Sequence, residues 1–93
     1  MKKTDLIKAV GIIDAQLAEV ENDITTVETD ITALYDGFDN VKTQEQVEEY
    51  DRKYRLFSKR KTLYLEAAYS LRTAHLGLNH IINEACTPEI DLN

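Results

Sequence analysis

Apolar side chains recur along the first part of the chain at Leu6, Val10, Ile13, Leu17, Val20, Ile24, Val27, Ile31 and Leu34, in alternating steps of four and three. A stripe held at that spacing is the seam of an α-helix packed along its whole length, whereas a strand would alternate every two residues. Thr4 is placed to cap this helix, and Asp5 falls in its first turn, where an acid complements the positive end of the helix dipole. β-Branched residues crowd the stretch from Ile24 to Thr32. They lower intrinsic helix propensity, so this helix depends on a packed partner. The run from Asp36 to Asn40 stops it, with Gly37 suited to a left-handed C′ position. Thr43 and Gln46 then carry the signature of a capping box opening a second helix. Its seam reads Val47, Tyr50, Tyr54, Phe57, Lys61, Tyr64, Ala68, Leu71, His75, Leu78, Ile82 and Ala85, interrupted by Lys61 and His75. Pro88 pushes Thr87 out of helical geometry, so the second helix is expected to end near Cys86.

The pattern predicts an all-α antiparallel two-helix hairpin of long, coiled-coil-like helices in a single domain, residues 1–93. Helix one covers about 4–36, the turn 37–42, helix two about 43–86, and a frayed tail 87–93. At 1.5 Å per residue the helices measure roughly 50 and 65 Å, and a reversal at the turn leaves the second overhanging by about 15 Å near the chain termini. Leu78, Ile81 and Ile82 would then lack cover and form a subunit contact. A glycine inside a helix costs up to about 1 kcal/mol relative to alanine, which close approach between protomers would offset. Gly77, Leu78 and Ile82 are therefore the candidate oligomer-packing positions.

Composition strengthens that expectation. A chain of 93 residues with no Trp and two Phe builds its core from small aliphatic side chains. Domains of this size bury little surface alone, so a homo-oligomer is expected. The lone cysteine, Cys86, rules out an internal disulfide framework and fits a reducing compartment. Behind Lys2 and Lys3 no apolar run reaches signal-peptide or membrane-span length, so the expected location is the cytoplasm.

Seventeen acids against eleven bases give a net charge of −6. That balance argues against double-stranded nucleic acid and membrane surfaces as partners, since both are polyanionic. The charge is segregated: residues 4–36 hold eight acids and one base, and residues 52–61 hold six bases and no acid. Arg52, Arg55 and Lys59 share one helical stripe, and Lys53 and Arg60 share another across the Tyr54/Phe57 seam. With Tyr54, Lys61 and Arg72 these are the candidate ligand residues for a phosphate or nucleotide. Guanidinium forks hold phosphate oxygens, and aromatic rings stack on bases. A plainer reading stands beside it. A hairpin reversing at Gly37 lays residues 52–61 beside 18–27, where Glu19, Glu21 and Asp23 would neutralise the block. Six cations exceed three acids, so both readings can hold together.

Catalytic signals are weak. His75 and His80 are five apart and share no helix face for a metal. His75 reads as a core or interface histidine, and His80 as an i,i+4 surface partner of Glu84. Cys86, at a helix C-terminus, is expected to be an inert thiol. No glycine-rich phosphate loop, zinc spacing or nucleophile elbow is present. The expected function is binding without catalysis, cofactor or metal.

Residues 72–88 carry Gly77, Ile81, Ala85 and Pro88 at the spacing of the last helix of the phage anti-CBASS nucleotide-sponge family, which this segment resembles. The resemblance implies a small helical protomer assembling into a hexamer. It also implies a cyclic di- or trinucleotide bound at subunit interfaces without cleavage, which would block a host immune signal from within the host cytoplasm. Leu65 stands where that family has an arginine, and the family's Tyr-Arg segment ahead of its first long helix has no counterpart. Only Gly77 and Pro88 carry over, as helix-packing positions. Tyr35-Asp36-Gly37 at the turn is similar to the Trp-x-Gly motif of helical-hairpin substrates of type VII secretion, which implies a protein-interaction hairpin instead. A purely structural coiled-coil subunit is the third reading.

Overall fold

The computed structural model describes residues 2–84. Helix α1 spans Lys3–Asp36, a 3-10 turn covers Phe38–Asn40, and helix α2 spans Gln44–Glu84, with no strand among the described residues. The expected end of helix two near Cys86, the role of Pro88, the Cys86 thiol and the frayed tail lie outside the described residues. Of those described, Glu21–Glu66 make one compact unit, and residues 2–20 with 67–84 make another. Within each, the α1 and α2 stretches lie antiparallel, as the hairpin reading requires.

Both seams exist. Every α1 seam position from Leu6 to Leu34 is buried or half-buried, and Leu6 and Val27 are buried. On α2 the seam holds from Phe57 to Ile82, with Ala68 buried. Three threonines in the β-branched stretch of α1 have their hydroxyls satisfied by the helix itself. The hydroxyls of Thr25, Thr26 and Thr29 donate to the carbonyls of Glu21, Asn22 and Thr25 at 3.0–3.1 Å. Such back-bonding lets threonine sit on an exposed helical face without an orphan donor.

The start of α2 follows its sequence signature. The Gln46 backbone N–H donates to Thr43 Oγ1 at 3.1 Å, and Gln46 Oε1 accepts from the backbone N–H of Thr43 at 3.0 Å and of Lys42 at 2.8 Å. This reciprocal box satisfies donors that a helix start leaves open. The start of α1 differs by one residue. Lys2 O accepts from the N–H groups of Asp5 and Leu6 at 3.0 and 3.2 Å, so Thr4 lies inside the helix and is not its cap.

The turn departs from expectation, and the departure resets the register. Gly37 has φ −86° and ψ 0°, not a left-handed conformation. Its N–H still bonds Ala33 O at 3.2 Å, and the chain tightens into the 3-10 turn through Asn40 N–H to Gly37 O at 3.1 Å. The chain thus carries on past Asp36 before it reverses. In the Glu21–Glu66 unit, Phe38 meets Tyr50 edge-on at 5.4 Å and Tyr35 meets Tyr54 at 6.0 Å. Lys61 faces Glu28 there. The first residues of α2 therefore project past the end of α1, at the turn. In the other unit His75 faces Asp14, a register that brings Glu84 level with Asp5. The expected overhang near the termini is absent among the described residues. Leu6 is covered, Leu78 and Ile82 are half-buried, and Ile81 alone of the three is exposed.

Candidate functional site

The basic block lies on α2 within the Glu21–Glu66 unit. The register found sets it beside residues 28–37, not 18–27, so Glu19, Glu21 and Asp23 are not its neutralising partners. Most of its acids come from its own helix. Arg52 grips Glu49 with two hydrogen bonds, Nε to Oε2 at 3.0 Å and Nη2 to Oε1 at 2.7 Å. Lys53 lies 3.7 Å from the same carboxylate, and Arg55 pairs with Asp51 at 2.8 Å. These are i,i+3 and i,i+4 neighbours, the spacing at which helical side chains meet. The bond from Arg52, with the charge of Lys53 behind it, holds the Glu49 carboxyl below its ordinary pKa. The same bond raises that of Arg52. Across the hairpin, Lys61 reaches Glu28 at 3.9 Å. Lys59 and Arg60 form no ion pair among the described residues.

Tyr54 packs against Tyr35, and its phenol, as a hydrogen-bonding neighbour, raises the Tyr35 pKa, with lesser contributions from desolvation and from the charges of Tyr54 and Tyr50. Tyr35 escaped the seam reading because it falls off the 4-3 spacing, and Phe38, which continues that spacing four residues past Leu34, because it lies beyond Gly37 where the helix was expected to stop. Tyr35, Phe38 and Tyr54 are all exposed. A groove of about 520 Å³ runs beside this pair, lined in part by Tyr35, Tyr54, Ser58, Lys61 and Leu65.

In the other unit, His75 interrupts the seam as a bonded residue. Its Nε2 lies 2.8 Å from Asp14 Oδ1, and Asn79 Nδ2 lies 3.0 Å from its Nδ1. With Nε2–H donating to Asp14 and the Asn79 amide donating to Nδ1, both ring nitrogens are satisfied in the neutral tautomer. Arg72, a ligand candidate, lines a 280 Å³ hollow with Asp14, Leu17, His75 and Leu76. It lies in a different unit from the rest of the block. Among the described residues His80 and Glu84 form no ion pair.

Of the candidate packing residues, Gly77 is exposed, with open space where a Cβ would stand, so nothing in the hairpin requires glycine there. Leu78 and Ile82 lie half-buried in the hairpin's own seam. Among the described residues no group of three or more His, Cys, Asp or Glu is arranged to hold a metal ion. No described helix is long and apolar enough to cross a membrane. No protein family, curated protein or solved structure matches this chain.

Proposed function

We propose that this chain is a non-catalytic binding protein whose hairpin is the building block of a helical homo-oligomer. One observation carries the reading. Among the described residues the buried apolar side chains are Leu6, Val27 and Ala68, while twelve large ones stand exposed, from Tyr54 and Leu56 at 38 % to Leu76 at 70 % and Tyr69 at 72 %. Small soluble domains that leave this much apolar surface open complete their core against another surface. Sedimentation equilibrium at micromolar concentration tests it. A species heavier than the 10.6 kDa chain is expected, and a clean monomer overturns it.

A second, narrower reading is sequestration of a cyclic di- or trinucleotide, in the manner of the sponge family that residues 72–88 resemble. Its support is that Lys59 and Arg60 form no ion pair among the described residues, and that the tilted Tyr35 and Tyr54 rings line a groove with Lys61 in the same unit. Arg52 and Arg55 would have to release Glu49 and Asp51 to join. A panel of cyclic nucleotides read by thermal shift tests it. A ligand specific for the folded state at 100 times its Kd adds about 2.7 kcal/mol of stability. No shift with any member overturns the nucleotide reading and leaves the assembly reading standing.

A further inference from the structure

One face of the Glu21–Glu66 unit is opened at its turn end by a cleft of about 380 Å³, which Ala33 and Leu34 of α1 line together with Glu49 and Lys53 of α2. Steps of three and four along each helix extend this face away from the turn. On α1 it continues through Asp30 to Thr26 and Asp23. On α2 it continues through Leu56 and Arg60 to Leu63, with Lys59 on its outer flank. Leu56 and Leu63 are 38 % and 53 % exposed. Neither Asp23, Asp30, Lys59 nor Arg60 forms an ion pair among the described residues, although Asp30 is half-buried. The face therefore has an acidic edge, a basic edge and two bare leucines between them.

We infer that this face docks on the same face of a second copy. The inference rests on the assembly reading above and specifies its surface. Charge selects the symmetry. A two-fold axis perpendicular to the helices would set α1 on α1, acid against acid, and like charges held together disfavour a contact. An axis parallel to the helices sets α1 of each copy on α2 of the other, with both turns at the same end. Residues that are level within one hairpin are then level across the interface. Asp30 of each copy meets Lys59 and Arg60 of the other, Ala33 covers Leu56, and Thr26 covers Leu63. Small side chains lie over large ones, which lets the helices close to the usual 8–10 Å separation. The contact is isologous and closes as a four-helix dimer, leaving no bare copy of the patch.

Charge-swapped copies test it. Asp30→Lys makes both edges basic, and Lys59→Glu with Arg60→Glu makes both acidic. Circular dichroism confirms that each variant stays helical, and Asp30→Asn serves as the milder substitution if Asp30→Lys unfolds. Each swapped variant alone should self-associate at least tenfold more weakly than the parent, about 1.4 kcal/mol. Their equimolar mixture should recover parental association as a heterodimer. Asp30→Asn should fall between the parent and Asp30→Lys. Parental association in both variants overturns the proposed face while assembly stands. Failure of the mixture to recover overturns the pairing of the two edges. A parent that is monomeric throughout removes the assembly reading and this inference together. If the acidic variant associates normally but loses a thermal shift that cyclic di-AMP gives the parent, the two cations serve a phosphate ligand and the docking inference falls.

Discussion

Among the described residues a polar pair bridges the helices in each of the two compact units, and the two pairs differ in kind. In the unit holding the chain's first residues, His75 meets Asp14 at 2.8 Å, its ring further fixed by Asn79, with 27 % of the side chain exposed. In the unit holding the turn, Lys61 stands 3.9 Å from Glu28, with the two side chains 39 % and 53 % exposed. The first is a short, oriented hydrogen bond in a largely apolar seam. The second is a loose, solvated ion pair of the kind that contributes little. The unit holding the turn compensates with aromatic contacts, Tyr35 on Tyr54 and Phe38 on Tyr50. A polar residue on a seam thus does different work depending on its setting. His75 fixes which residue faces which, and Lys61 keeps its ammonium near water while its stem covers the seam.

Stability measurements can break or sharpen this contrast. The largest effect is expected at Leu6, 3 % exposed and close to an end of α1. Leu6→Ala should cost about 2–3 kcal/mol, the lower part of the range for core leucines, because a two-helix seam can partly collapse around the gap. Urea denaturation reads it. A cost below about 0.5 kcal/mol, in the range of a surface change, would mean that this end of the seam is not formed.

The polar pairs come next. His75→Ala should cost about 1 kcal/mol, as for a net hydrogen bond removed from a half-buried site. Lys61→Ala should cost less than about 0.5 kcal/mol. Equal costs would show that the difference in geometry between the two pairs has no energetic consequence.

The smallest effect is the pH dependence of the Glu49–Arg52 pair. The folded-state pKa of Glu49 is lowered, chiefly by the hydrogen bond from Arg52. Its contribution is therefore present above the unfolded glutamate pKa, about 4.3, and is lost as pH falls through the lower folded value. Arg52→Gln should bring the melting temperatures of parent and variant closer together on acidification through that range. A difference that stays constant from neutral to acid pH would show that the pair does not couple to folding.

Much of the fold was legible in local sequence. The 4-3 spacing marked both helices, and the Thr43/Gln46 box placed the start of α2 within one residue. Both signals act over a single helical turn, so neighbouring residues suffice to set them. The candidate site was legible only in part. The block at 52–61 was visible as charge, but its partners were misread: Glu49 and Asp51 are neighbours on its own helix that a cross-hairpin reading passes over, and only Glu28 follows from register.

Sequence by itself determined two long helices, their buried stripes, the cap of α2 and the segregation of charge, because each depends on residue type at short range. Tertiary structure alone decided the path at Gly37, and with it the register. A glycine permits a left-handed end without requiring one. Once the chain continued into a 3-10 turn, every cross-helix partner moved together. The α1 seam is uniformly aliphatic, and such a seam accepts its partner at more than one register, so the apolar pattern had no means of choosing. The choice fell to groups far apart in sequence, with His75 on Asp14 in one unit and the aromatic pairs beside the turn in the other.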